Sequence, residues 1–417
     1  MEMRQFRERN RPAILNRFKP SGVGVVQSIT CSFKAGRTRM ALHGLAVFTL
    51  VTSTVIPAIA EDLTSDARAT KKLHREIVQR GVRYLQNQGQ ASDGSFSAGS
   101  GPGVTALVTT AILRNGYSPE DPLVSRSLDY LRTFIQQDGG IYAPGSIYRN
   151  YETSLAVMCF AEAEKKQPRA FKKIVGDADR FLKGLQYGEP NERAPSDPFY
   201  GGAGYGKHKR PDLSNTGIMI DALVAAGAGP DDEALRKALI FVSRCQNLET
   251  EHNDTKWSVK NPDGGFYYTG AAGGSSQAKW PEGKSEEEHG LRSYGSMTYM
   301  GLKSLIYAGL TADDSRVKAA TEWIRKNYRL DQNPGLGQQG LYYYYHTFAK
   351  ALDAIGEKTF LDDQGISHDW RKELTDKLAS EQQGDGSWIN SQSRWLEADP
   401  NLVTGYALLA LSYCQID

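Results

Sequence analysis

Six apolar segments, each opened by a threonine, constrain the fold of this chain more than any other feature. Each segment is apolar on nearly every side, as over residues 218–226, and a helix of that kind has to be covered all round. The dipeptides that open them are Val104-Thr105, Glu152-Thr153, Asn215-Thr216, Met297-Thr298, His346-Thr347 and Val403-Thr404. The pattern therefore predicts six buried helices.

Amphipathic helical patterns alternate with these buried segments. Their apolar residues recur at spacings of three, four or seven, as at Leu73, Ile77 and Tyr84, with charged residues between them. The alternation predicts an all-α fold, a single (α/α)6 toroid of six helix-pair repeats with the buried helices inside. An open solenoid of helical hairpins is the alternative, but a closed ring covers the apolar faces that an open array leaves bare at its ends.

Turns of Gln, Asp and Gly followed by an aromatic residue separate the outer from the inner helices. The Asp side chain can bond the backbone and Gly is free to take positive φ, so the pair ends one helix and redirects the chain. Such turns lie at residues 93–96, 137–142, 263–266 and 383–388, with degenerate copies at 200–202 and 339–342.

The first sixty residues differ in composition from the rest. They hold nine of the 50 Lys and Arg residues but only two of the 48 acidic ones, so the remainder is net acidic and has no electrostatic footprint for nucleic acid. An uncharged apolar run over residues 41–59 leads into Pro57-Ala58-Ile59-Ala60, which is typical of a signal-peptidase site. We expect a basic leader and signal peptide over residues 1–60, a linker over 61–72 and the toroid over 73–417.

This leader predicts an exported protein, periplasmic or secreted, whose mature chain begins near Glu61. A membrane anchor through residues 41–59 is the alternative, since the run is close to the minimum length for a span.

The last turn also carries a family resemblance. Its pattern Gln383-x-x-Gly386-x-Trp388 reproduces the QW repeat of squalene-hopene and oxidosqualene cyclases. The threonine-opened helices resemble the same repeat family, which includes protein prenyltransferase β subunits. The resemblance covers residues 73–416 and implies an α/α toroid whose central cavity binds an isoprenoid.

The chain departs from both branches of that family at the chemically important positions. Squalene-hopene cyclases carry Asp-x-Asp-Asp-Thr, in which the middle aspartate protonates an alkene, whereas this chain has Asp212-Leu213-Ser214-Asn215-Thr216. A serine hydroxyl is too weak an acid for that step. His346-Thr347 resembles the zinc histidine of prenyltransferases, but Ser296-Met297-Thr298 stands where Asp-x-Cys would be needed. We therefore expect no tightly bound zinc and predict no cofactor.

The candidate site residues lie at or near the starts of the inner helices, and a closed ring would bring those starts to one end. The resemblance and this position suggest three catalytic candidates, Asp212, Glu152 and His346. Ligand-binding candidates are Asn215, Tyr148, Tyr205, Tyr294 and Tyr344, since aromatic rings can stabilise a cation through their faces. The alternatives are helix capping for Asp212 and Asn215, a solvated loop charge for Glu152, a core histidine at 346, and packing for the tyrosines.

Two classes of function remain, with a purely structural repeat protein as a third. In the first, the chain is a cyclase-like isomerase, a prenyl-transfer-like transferase or a degenerate relative that binds a small apolar ligand, and its cavity is dry and aromatic. In the second it binds or processes polysaccharide in an open cleft with opposed carboxylates such as Glu152 and Asp212. The sequence indicates neither a substrate nor an oligomeric state.

Overall fold

A computed structural model of the chain describes residues 55–206 and 210–415, with side chains from residue 67 onward. The residues from Thr70 onward form one compact unit, and the described residues before it belong to a second. The helices in chain order are α1 (Val55–Tyr84), α2 (Pro102–Arg114), α3 (Pro122–Arg132), α4 (Arg149–Lys166), α5 (Lys172–Leu185), α6 (Leu213–Ala226), α7 (Glu233–Arg244), α8 (Lys256–Lys260), α9 (Glu286–His289), α10 (Gly295–Tyr307), α11 (Ser315–Lys326), α12 (Leu341–Ile355), α13 (Trp370–Glu381) and α14 (Pro400–Tyr413).

The all-α prediction is confirmed for the described part of the chain. Its strands there, β1 (Phe360–Leu361) and β2 (Ser367–His368), form a single short antiparallel pair. Shorter elements are a π turn at Leu85–Gly89 and 3-10 turns at Ala98–Ser100, Glu189–Asn191 and Arg394–Leu396.

The buried helices form a closed ring. Helix α2 packs on α4, α4 on α6, α6 on α10, α10 on α12, α12 on α14, and α14 returns to α2. Outer helices α3, α5, α7, α11 and α13 each pack on the inner helix before them. The part of α1 after Thr70 packs on α14, since Gly81 lies against Leu408 and Trp388. This closure covers the apolar faces that an open array would expose.

Glycines at positive φ let the turns dock on the outer helices. Gly94 has φ of 89°, and a Cβ there would lie 2.3 Å from the carbonyl oxygen of Arg126 in α3. Only glycine combines this backbone conformation with such a close approach. The equivalent glycines, each against the next outer helix with the last one on α1, are Gly139, Gly201, Gly264 and Gly386.

A glutamine side chain hydrogen-bonds both to the turn and to the outer helix on which the turn packs. Gln90 Nε2 donates to the carbonyl of Gly94 at 3.3 Å and to that of Leu123 in α3 at 2.7 Å. The same pair of bonds is made by Gln186, Gln246 and Gln382. In the last turn the glutamine that makes these two bonds is thus Gln382, one residue before the glutamine of the predicted motif.

The threonines that open the inner helices hold the turns from the other side. Thr105 Oγ1 accepts a hydrogen bond from the backbone N–H of Phe96 at 2.9 Å. Thr153, Thr216, Thr298 and Thr404 bond their own turns in the same way. Thr347 differs, because its hydroxyl donates to the carbonyl of Tyr344 in its own helix at 3.0 Å. Five of the six threonines therefore have a structural role, because they hold the turns to the inner helices.

The N-terminal predictions lie largely outside the described residues. Residues 1–54 are not among them, and residues 55–72 are helical backbone within α1. Within the part of the chain that the structure describes, no helix combines the length and the apolar character needed to cross a bilayer. The predicted boundaries at residues 60 and 72, and the export they imply, stay predictions.

Candidate functional site

A cavity of about 710 Å³ opens at the end of the ring where the inner helices begin. Residues just before or within the first two turns of all six inner helices line it. From α2 round to α14 they include Gly101, Tyr148, Tyr151, Glu152, Ser214, Ile218, Tyr294, Ser296, Met297, Gly340, Tyr343 and Tyr406. The repeat architecture thus supplies one wall residue or more from every repeat.

The cavity wall is aromatic. Seven tyrosines and one tryptophan line it, namely Tyr148, Tyr151, Tyr205, Tyr268, Tyr294, Tyr343, Tyr406 and Trp395. Three of the predicted ligand-binding residues, Tyr148, Tyr205 and Tyr294, are among them. Tyr148 and Tyr205 meet edge to face, with ring centres 5.2 Å apart.

Large apolar side chains are exposed at the rim of this cavity. Ile147 and Tyr148 precede α4, and Trp395 and Leu396 precede α14; the exposed fractions of the four side chains run from 43% to 54%. Exposed apolar residues are ordinary when scattered singly, whereas a group around one opening is typical of binding sites.

Glu152 lies in the cavity wall and holds the loop over residues 143–148. It is buried, with the Ser146 hydroxyl donating to its Oε1 and the Ala143 N–H donating to its Oε2, each at 2.9 Å. Burial raises the pKa of Glu152, and the two hydrogen bonds offset part of that rise. The side chain is therefore a weakly acidic group that also fixes one side of the rim.

Glu397 is a second wall carboxylate, and sequence reasoning missed it. It accepts hydrogen bonds from the backbone N–H of Tyr343 at 2.8 Å and from Asn390 Nδ2 at 2.6 Å. It thereby caps α12, whose own N-cap residue, Gly340, has no side chain. Burial raises the pKa of Glu397, against the effect of these bonds. No periodic pattern marks it, because it reaches α12 from the loop before α14.

Asp212 lies behind the cavity wall rather than in it. It is the N-cap of α6, buried, and accepts hydrogen bonds from the Asn215 N–H at 2.9 Å and from Asn215 Nδ2 at 2.8 Å. The phenol of Tyr268, which does line the cavity, acts on the Asp212 carboxylate and favours its charged form. Burial raises the pKa of Asp212 to about 6, although these hydrogen bonds act in the opposite direction.

Ser214 stands in the cavity wall at the position of the middle aspartate in the cyclase motif. Its hydroxyl oxygen is 3.1 Å from that of Tyr343 across the ring. The residue at this position of the motif thus faces the cavity, but it carries a neutral hydroxyl and not a carboxylic acid.

Besides Asp212 and its hydrogen-bond partner Asn215, two more predicted residues lie outside the cavity lining. Tyr344 is buried and donates to the carbonyl of Arg329 at 2.7 Å, because it follows the wall residue Tyr343 and points about 100° away around α12. His346 lies one turn deeper, between the rings of Tyr406 at 6.0 Å and Tyr413 at 6.5 Å. Burial and the nearby Lys350 hold the pKa of His346 well below its usual value, so it is a neutral core histidine.

A buried ion cluster lies farther along the inner helices, and it too was missed. Asp221 in α6 pairs with Lys303 of α10 and with Lys350 of α12, the latter at 2.6 Å. All three side chains are buried. Burial lowers the pKa of Lys303 to about 8, in spite of the Asp221 carboxylate. The signal was present, since Asp221 and Lys303 are each the sole charge in an apolar segment.

Metal binding has no candidate among the residues that the structure describes. Within them, no three His, Cys, Asp or Glu side chains lie close enough to share an ion. Cys159, Cys245 and Cys414 are buried free thiols.

No protein-family model matches the chain, and no curated protein matches it. Among solved structures it is similar to a variant of the type II terpene cyclase MstE from Scytonema in complex with geranylgeranyl dihydroxybenzoate, with a TM-score of 0.49 and 11% identity over 84% of this chain and 99% of that one. It is also similar to apo MstE from Scytonema, with a TM-score of 0.47 and 11% identity over 82% and 98% of the two chains. Substrate and activity belong to those proteins, and the function of this chain has to follow from its own cavity.

Proposed function

We propose that this chain binds an apolar small molecule of isoprenoid type in the cavity of its helical ring. One observation carries the proposal: the cavity wall is aromatic and the exposed rim residues Ile147, Trp395 and Leu396 extend the apolar surface outward. A ligand that buries hydrocarbon against such a wall gains roughly 25 cal/mol per Å² of apolar surface removed from water. The resemblance of the Asp212–Thr216 motif and of the turns to isoprenoid cyclases supports the same class of ligand.

The cavity closes toward the middle of the ring. Ser214 and Tyr343 meet at its wall, and His346 stacks beneath Tyr406. Below them lie the buried side chains of Asp221, Lys303 and Lys350. A ligand therefore enters and leaves by the rim, with its apolar body against the tyrosines.

The wall suits binding better than alkene protonation. Its carboxyl groups, Glu152 and Glu397, have raised pKa values and are therefore weaker acids than an ordinary carboxylic acid. Protonating an unactivated double bond needs a stronger acid, not a weaker one. If the protein is an enzyme, it is a divergent isomerase or transferase that acts on an already activated ligand.

Incubation with squalene should accordingly yield no cyclised product. The reason is that Ser214 occupies the place of the proton donor and no strong acid replaces it in the wall. Gas chromatography of the extracted lipid checks this, and hopene formed by the unmodified protein would show that the acid has been misidentified.

A second candidate function, carbohydrate binding or processing, is favoured by the two wall carboxylates, Glu152 and Glu397. Pairs of carboxylates flank the bond that is broken in glycoside hydrolysis. Here, however, the oxygens of both groups already accept hydrogen bonds from their surroundings. Asp212, the partner suggested by the sequence, lies behind the wall.

A bulky side chain in the wall tests the proposed function. Farnesyl methyl ether should bind saturably to the unmodified protein, and Ile218→Trp should weaken that binding about tenfold or more, about 1.4 kcal/mol, because the indole fills the ligand's volume. Isothermal titration calorimetry in a mild detergent measures both affinities.

The matched control is Ile135→Trp, at an exposed isoleucine outside the wall. It should leave the affinity for the ether unchanged. If the folded protein does not bind the ether but does bind a neutral or uronate oligosaccharide, carbohydrate binding would replace isoprenoid binding as the proposed function.

The proposal extends to location. The basic leader and the Ala58-Ile59-Ala60 pattern support an exported protein, with the membrane anchor through residues 41–59 as the alternative.

A further inference from the structure

Two hydroxyl groups of the cavity wall form a pair that crosses the interior of the ring. Ser214, near the start of α6, and Tyr343, near the start of α12, both line the cavity, and their hydroxyl oxygens are 3.1 Å apart. Helix α10 lies between α6 and α12 in the order of the ring, so this hydrogen bond does not join neighbouring helices. The pair therefore faces the space that a ligand would fill.

The caps of the two helices hold this pair in place. The carboxylate of Asp212 accepts a hydrogen bond from the N–H of Asn215 at 2.9 Å and so fixes the first turn of α6, which carries Ser214. The carboxylate of Glu397 accepts one from the N–H of Tyr343 itself at 2.8 Å. Both hydroxyls are therefore attached to anchored backbone, and neither residue is fully buried.

The pair has one O–H group more than its own hydrogen bond uses. A serine or tyrosine hydroxyl has a single proton to donate, and the bond between Ser214 and Tyr343 uses one of the two protons, whichever residue is the donor. Neither hydroxyl has a second hydrogen-bond partner within the part of the chain that the structure describes. One O–H group is thus left for a partner in the cavity.

From this count we infer that the cavity selects, among apolar ligands, those that carry a carbonyl group, whose oxygen accepts the spare O–H of the Ser214–Tyr343 pair. The inference rests on the proposed function, because it names the class of ligand for the same cavity. A carbonyl oxygen brings no proton that would need an acceptor of its own. A pure hydrocarbon displaces water from the pair and leaves that O–H unpaired, which is costly once the ligand has closed the cavity to solvent.

Two probes that differ only at the carbonyl oxygen test the inference. Farnesylacetone is a ketone with an isoprenoid chain, and the matching hydrocarbon has a methylene group in place of the ketone oxygen. The ketone should bind about tenfold more tightly to the unmodified protein. The double variant Ser214→Ala/Tyr343→Phe removes both hydroxyls and keeps the aromatic ring, so its affinities for the two probes should be equal. Isothermal titration calorimetry in a mild detergent measures all four affinities.

The matched control is the double variant Ser304→Ala/Tyr345→Phe. Both residues are buried in inner helices, outside the cavity wall. The hydroxyl of Ser304 donates to the carbonyl of Met300 at 2.8 Å, and that of Tyr345 donates to the carbonyl of Leu330 at 2.6 Å. This variant also removes one serine and one tyrosine hydroxyl but leaves the Ser214–Tyr343 pair intact, so the preference for the ketone should remain.

The carbonyl stretch of the bound ketone gives a second readout that needs no variant. The band of the bound probe, with an isotopic label at the ketone carbon, should lie at a lower frequency than that of the same probe dissolved in an alkane. The reason is that a donated hydrogen bond weakens the C=O bond. Infrared difference spectroscopy measures the shift.

The outcomes separate the inference from the proposed function. Equal affinities for the ketone and the hydrocarbon in the unmodified protein, or an unshifted carbonyl band, overturn the inference and leave the proposed function standing. A preference that survives in a folded Ser214→Ala/Tyr343→Phe variant also overturns it, because the donor would then lie elsewhere in the wall. If neither probe binds, the proposed function itself fails, and the inference fails with it.

Discussion

Asp221→Asn should destabilise the folded chain by about 3–5 kcal/mol, the cost of leaving a buried charge without its partner. The carboxylate stands between the ammonium groups of Lys303 and Lys350, and all three residues are at least 95% buried. The amide of asparagine has nearly the same shape but no charge, so both ammonium groups would remain in a dry interior. Urea denaturation at pH 7 measures the change in the free energy of unfolding.

The stability of this variant should also depend on pH, in a direction that the pKa of Lys303 predicts. Burial lowers the pKa of Lys303 to about 8 even with Asp221 present, so without the carboxylate its pKa should fall further. A lysine whose folded pKa lies below its unfolded value near 10.4 costs stability when protonated. The stability of Asp221→Asn should thus rise as pH is raised from 7 to 10, more steeply than that of the unmodified protein.

The matched control removes the whole cluster. Asp221→Leu combined with Lys303→Met and Lys350→Met replaces three buried charges by apolar side chains, and it should recover the stability lost in Asp221→Asn, to within about 1 kcal/mol or better. Equal stability of Asp221→Asn and the unmodified protein at pH 7 would show that the lysines are neutral or hydrated in the folded chain.

The fold was predictable because its signals are local and repeated. An apolar segment opened by threonine appears six times, and in five of them the structure gives the threonine the same hydrogen bond to its turn. The docking of Gly201 on α7 was harder to see, since it depends on a helix that starts about thirty residues later. Repetition made up for this, because the same turn recurs along the chain.

The site was only partly predictable, for geometric reasons. Proximity to an inner-helix threonine located Tyr148 and Glu152 in the wall, but it cannot tell Tyr343, which faces the cavity, from Tyr344, which faces the outer layer. Residues that reach the site from loops, such as Tyr268 and Glu397, have no sequence spacing that relates them to it. The chemical roles of the predicted residues stay predictions until ligands are tested.

Gly201→Ala should destabilise the fold by about 3 kcal/mol, through backbone strain and overpacking together. Gly201 has φ of 80°, a conformation that alanine adopts only at a cost, and a Cβ there would lie 1.8 Å from the carbonyl oxygen of Lys237 in α7. The obstacle is helical backbone and not the end of a flexible side chain, so the turn itself must move. Thermal and urea denaturation followed by circular dichroism measure the loss.

Gly184→Ala is the control, because Gly184 is exposed within helix α5 and an added Cβ would meet nothing within 4 Å. Alanine is the better helix former, so this variant should be stabilised, by up to about 1 kcal/mol. Opposite signs for the same Gly→Ala change would locate the effect of Gly201 in the docking of its turn. Since the turn at residues 200–202 leads into the loop of Tyr205, the Gly201→Ala variant should also bind farnesyl methyl ether more weakly. Unchanged stability in Gly201→Ala would mean that the turns can dock without the close backbone approach, and glycine would then not be what holds the outer helices to the ring.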